Sequence, residues 1–128
     1  MNFINLTPHA ISIKNGDINV TVQPSGFLAR VSTTEEVTSY VAGIPVITRK
    51  MGAVELFCPD TGKSQTFTKE AVTVGVLPTV NFLVSSMVLD AIPDGHELAP
   101  FCFAPDTGST AERNDKGHIV SVCRLVGK

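Results

Sequence analysis

Two matching segments hold the residues best suited to chemistry: Pro59-Asp60-Thr61-Gly62 and Pro105-Asp106-Thr107-Gly108. Each follows a Phe-Cys pair, directly at Phe57-Cys58 and two residues on from Phe101-Cys102. Both segments read as turns, because proline presets φ, the aspartate bonds the following backbone and glycine accepts positive φ. The second copy runs on into Ser109, Thr110, Glu112 and Arg113, the densest polar cluster of the chain. Arginine forks onto oxyanions and hydroxyls fill the remaining acceptors, so this cluster suits a phosphate, a ribose or a carboxylate.

A second candidate is Asn5-Leu6-Thr7-Pro8-His9 at a strand end. An unperturbed histidine titrates near neutrality, so His9 is a possible acid-base group or a hydrogen-bonded turn residue. No serine or cysteine stands at recognisable spacing to form a dyad with it. The Asp-Thr-Gly triplets are similar to those of aspartic proteases, but here each follows proline and has polar flanks, which argues against that chemistry. Carboxylates are scattered singly, and no phosphate-cradling glycine motif occurs. Ser85 and Ser86 at a predicted helix start suit capping, or an anion held by free amides.

The elements that position these residues are mostly strands. Ile11 and Ile13 alternate with Ser12 and Lys14, Asn15-Gly16 fits the positive-φ pair of a tight hairpin, and Ile18, Val20 and Val22 follow with one face expected to be buried. Phe27 to Val31 reads as a third strand, with Arg30 on the face opposite Phe27, Ala29 and Val31. Thr33 to Glu36 reads as a loop or a single turn. Ile44 to Ile47 and Ala53 to Phe57 read as two strands around Met51-Gly52, with Pro45 placing the first at an edge or a strand start. Val80 to Ile92 holds the best helix candidate, entered from a strand over Thr79 to Leu83 and stopped by Pro93-Asp94-Gly95. Strands near Phe101 to Phe103 and from His118 to Leu125 flank the second Pro-Asp-Thr-Gly and the turn Asn114 to Gly117. The expected fold is one domain, 1–128, mainly β: a compact antiparallel sheet or barrel-like body with one or two short helices.

Composition narrows the function. The chain has 128 residues, 43% hydrophobic and only 17% charged, with a net charge of −2. Such a length buries a core without metals or disulfides. Low charge points to surface hidden in a homo-oligomer, the alternative being simply a valine-rich β core. Without a basic stretch, binding of nucleic acid through phosphate neutralisation is not expected. No apolar run reaches the length of a membrane span, and the first residues do not read as a signal peptide. The expected compartment is the cytoplasm, the host's if the protein is phage-encoded. Cys58, Cys102 and Cys123 read as buried hydrophobes, and His9, His96 and His118 are scattered, so neither a metal nor a cofactor is expected.

The chain resembles a group of small bacterial, prophage and phage proteins. The shared marks are Asn5-Leu6-Thr7-Pro8-His9, Pro24-Ser25-Gly26 with Ala29-Arg30-Val31, Gly43 to Val46, Phe82 to Ser85, and Pro105 to Gly108 with Ala111, Arg113 and Gly117 to Val120. They span nearly the whole chain. The resemblance implies a phage-type accessory protein and no particular activity.

The expected function is binding without catalysis. A small phage-type protein with polar loops and no catalytic constellation resembles the sponges that sequester nucleotide immune signals. Thr7, His9 and Arg30 from one region and Asp106, Thr107, Ser109 and Arg113 from another would line the pocket. Two alternatives stand beside it: a hydrolase of the same ligand class, with His9 as base assisted by Asp106 or Glu112, and a protein-interaction or virion accessory module.

Overall fold

The computed structural model describes residues 3–68, 71 and 81–128. The fold is mainly β, as the alternation of the sequence predicts. In chain order the strands are β1 (Phe3–Asn5), β2 (Ile11–Asn15), β3 (Ile18–Val22), β4 (Leu28–Val41), β5 (Ile44–Cys58), β6 (Lys63–Thr66) and β7 (Asn81–Leu83). The helix α1 (Ser86–Ala91) and a 3-10 turn (Ala99–Phe101) follow. Then come β8 (Cys102–Pro105), β9 (Glu112–Arg113), β10 (Ile119–Ser121) and β11 (Leu125–Gly127). The described residues form four sheets, in the orders β1-β7-β8-β11, β2-β3, β4-β5-β6 and β9-β10. Among the described residues none closes into a barrel.

Strand pairing is not antiparallel throughout. β7 lies between β1 and β8 and runs parallel to both, while β11 pairs β8 antiparallel. α1 returns the chain from β7 to β8. Ser85 caps it, accepting from the Val88 amide at 3.2 Å through its hydroxyl, as a serine before a helix should. Thr79 and Val80, the start of the predicted strand-to-helix stretch, lie outside the described residues.

The core sits where α1 packs on β4, β5 and β8. Val88, Leu89 and Ile92 meet Ala29, Val54, Leu56, Phe67, Phe82 and Cys102, all buried. His96 closes one side, its ring stacked on Phe67 at 6.0 Å between centroids. Its Nδ1 accepts from the Leu98 amide, so a neutral ring carries its proton on Nε2 and donates to the Phe67 carbonyl at 3.1 Å.

Several expectations are corrected. The β2–β3 hairpin forms, but its two loop residues are Gly16 and Asp17, since Asn15 pairs Ile18 and only Gly16 has positive φ. Ile18 and Val20 are exposed, although Ile13, which pairs Val20 across the hairpin, is buried beside Val122. Thr33 to Glu36 is strand, not loop. Ile44 to Phe57 is one strand, not two: at Gly52-Ala53 two residues oppose Ser32, and this bulge replaces the break expected at Met51-Gly52. A second extra residue, Thr38, sits in β4. His118 to Leu125 is broken into β10 and β11.

These strands make an arm. Every residue from Ser32 to Ala53 is exposed. Ten residues of β4, Ser32 to Val41, extend the ribbon about 34 Å. β6 pairs β5 only from Glu55 to Cys58, so the arm beyond is a two-stranded ribbon with no third strand beside it among the described residues. The turn at its tip is Ala42-Gly43, both at positive φ.

Candidate functional site

The seven predicted ligand residues fall in three local settings. Thr7 and His9 belong to a turn organised by Asn5, which is 1% exposed. The Asn5 amide donates to the His9 carbonyl at 2.7 Å and to the Val22 carbonyl at 3.1 Å. Its oxygen accepts from the Thr7 amide at 2.9 Å and the Thr7 hydroxyl at 2.6 Å. Thr7 is therefore committed to the turn. The His9 ring is exposed, and neither Asp106 nor Glu112 lies within hydrogen-bond reach of it.

Arg30 stands on the outer face of the β4-β5-β6 sheet. Its guanidinium lies 3.6 Å from the centroid of the Phe57 ring and donates to the Ser64 hydroxyl at 3.2 Å. This cation–π stacking leaves most of its donors open to solvent.

The second Pro-Asp-Thr-Gly and its polar run bond mainly to one another. Asp106 accepts from the Gly108 amide at 3.1 Å and from Arg124 twice, from Nε at 2.9 Å and from a terminal nitrogen at 2.6 Å. The Gly108 amide and Arg124 beside it hold the Asp106 carboxyl below the usual carboxylate range. Arg113 donates to the Gly117 carbonyl at 2.8 Å and to the Thr107 carbonyl at 3.2 Å, tying the loop to the β9–β10 turn. Glu112 accepts from Ser121 at 2.9 Å. Thr107 and Ser109 are exposed and spend no side-chain hydrogen bond on the described residues. Gly62 takes the positive φ expected of the first copy, whereas Gly108 does not; there the Asp106 side chain sets the turn. No hydrogen bond joins Thr7, His9 or Arg30 to Asp106, Thr107, Ser109 or Arg113.

A different cluster surrounds the first Pro-Asp-Thr-Gly. A groove of about 370 Å³ is lined by Phe27, Leu56, Cys58, Thr61, Lys63, Ser64 and Gln65. β5 and β6 place it: Cys58 pairs Lys63 and Leu56 pairs Gln65 across the strands, and Leu56 belongs to the buried face. By alternation the groove continues the core side of the sheet, and Arg30 lies on the other face. Phe27 offers a ring 44% exposed. Hydrogen bonds from the Thr61 hydroxyl and amide hold the Cys58 thiol below its ordinary range. Burial pushes the Cys102 thiol up to about 12. The sequence signal for this site was the first turn copy itself, with a lysine directly after its glycine.

Among the described residues no group of three or more histidine, cysteine, aspartate or glutamate side chains is placed to hold a metal, and no helix is long and apolar enough to cross a membrane. Compared with protein-family models, with curated proteins and with solved structures, the chain finds no match in any of the three.

Proposed function

We propose that this protein is a phage-type accessory protein that binds and holds a small phosphorylated ligand of the nucleotide class without converting it. The observation that supports the reading is the groove between Phe27 and the β5–β6 turn. Its volume falls in the range of small-molecule sites, roughly 300–1,000 Å³. An exposed aromatic ring suits a base, the Lys63 ammonium suits a phosphate, and Thr61 and Gln65 suit hydroxyl or carbonyl groups. The self-bonded Asp106–Arg124 and Arg113 contacts make the C-terminal cluster a framework, so the ligand site moves to the first copy of the turn. The Lys63 side chain carries no ion pair with the described residues. No described residue beside His9 orients it as a base, which favours binding over hydrolysis.

The test is incubation with a panel of cyclic dinucleotides and ADP-ribose derivatives, followed by mass spectrometry before and after heating. Ligand that disappears and returns intact on heating is the expected result. Lys63→Ala and Phe27→Ala should each weaken retention at least tenfold, with Arg113→Ala weakening it less. A product of new mass would replace this reading with hydrolysis and make His9→Ala the next variant. Unchanged retention in the Lys63 and Phe27 variants would remove the groove. A second reading, a protein-interaction or virion accessory module, is favoured by the exposed β4–β5 arm. It predicts a retained protein partner and no retained small molecule.

A further inference from the structure

The arm exposes apolar side chains on both faces, Val41, Ile44 and Val46 near the tip on one, and a stripe that runs its whole length on the other. Val31 pairs Val54 and Ala29 pairs Leu56, and these positions cover the core. Followed outward by alternation, with the two bulges taken into account, that same face carries Met51, Glu35 with Arg49, Val37 with Ile47, and Tyr40 with Pro45. Here the side chains have no cover: Met51 is 45% exposed, Val37 49%, Ile47 42% and Tyr40 69%. The only charges in the stripe, Glu35 and Arg49, neutralise each other at 2.9 Å.

We infer that this face docks on the same face of a second copy. Three observations point to a copy of this chain. The stripe is electrically self-satisfied, so two copies can stack without opposing like charges and without needing a basic or acidic partner. The apolar residues form cross-strand pairs, Val37–Ile47 and Tyr40–Pro45, so an identical ribbon presents the same relief and an isologous contact results. The surface is also large for the mass. The chain exposes 8307 Å², whereas a compact monomer of 13.6 kDa exposes about 6,600 Å². A projecting arm adds surface of this kind, and the area is sufficient for the roughly 800 Å² per partner that a stable interface buries. At the base of the arm the same face is already covered by α1, so the two arms run in opposite directions, each tip reaching toward the other copy's body. The contact is independent of the ligand reading.

Sedimentation velocity and light scattering on the full chain at micromolar concentration test this. The expected mass is twice 13.6 kDa, little changed by salt. Val37→Asp and Ile47→Asp should each raise the dissociation constant at least tenfold, and Thr34→Asp on the opposite face should leave it unchanged. Tyr40→Ser, near the tip, provides a milder variant with the same expected direction. Circular dichroism of each variant checks that the body remains folded. Val37→Cys should cross-link two copies under mild oxidation, and Thr48→Cys on the opposite face should not. A monomer across the whole concentration range overturns the inference. So does a dimer that survives Val37→Asp and Ile47→Asp, because its contact then lies elsewhere.

Discussion

Asn5 shows how much a single amide can organise. It is buried, and all its hydrogen-bonding capacity goes to the turn that carries Thr7 and His9 and to the Val22 carbonyl of β3. Replacement by leucine keeps the volume and strands those partners. Asn5→Leu should cost about 3 kcal/mol in urea unfolding, and Thr7→Val about 1 kcal/mol. Asp106 gives a pH signature. Its folded-state pKa is depressed, so its contribution is present at neutral pH and is lost as pH falls through that lowered value. Asp106→Asn should therefore be less stable than wild type at pH 7, and the difference should shrink toward acid. Stability curves measured from neutral pH to below the carboxylate range check the sign. The cysteines separate by environment in the same way. Alkylation should modify Cys58 first, beginning at a pH below that of an ordinary thiol, and should leave Cys102 untouched in the folded protein.

At the scale of elements, the arm depends on three small residues. Ala42 adopts φ 50 at the tip, a conformation that costs an alanine about 1 kcal/mol and an asparagine less. Ala42→Asn should slow amide exchange at Val41 and Ile44 while barely moving global stability, because the tip is far from the core. At the inner bulge, a Cβ on Gly52 would stand 2.7 Å from the Ser32 hydroxyl. Gly52→Ala should destabilise by about 1 kcal/mol, and adding Ser32→Ala should recover most of it, a coupling that a double-mutant cycle measures. The same positions explain what could be read from sequence. The β2–β3 hairpin was legible, because strict alternation around a glycine is local information. The arm was not: Thr33 to Glu36 is polar, Pro45 and Gly52 look like breaks, and the bulges that absorb them exist only once two strands are paired. Parallel pairing of β1 with β7 depends on partners remote in sequence and leaves no local mark. The site divides similarly. Both Pro-Asp-Thr-Gly turns were legible as turns. That Arg113 is bound to Gly117 and Thr107, and that the first copy opens onto a groove, depend on contacts across strands.

For the whole molecule, the large surface and low charge acquire a common explanation if the arms pair. Association that buries the stripe adds stability by mass action, so the thermal midpoint should rise with protein concentration, and Val37→Asp should flatten that dependence. The order of the central sheet has another consequence. Phe3 pairs Asn81, and Leu125 pairs Pro105, so its first strand waits for residues made much later. Hairpins β2–β3 and β4–β5 need only near neighbours and can zip early. During synthesis a nascent chain thus presents a finished arm on an unfinished body, and neighbouring ribosomes on one message bring such arms close together before any core has closed.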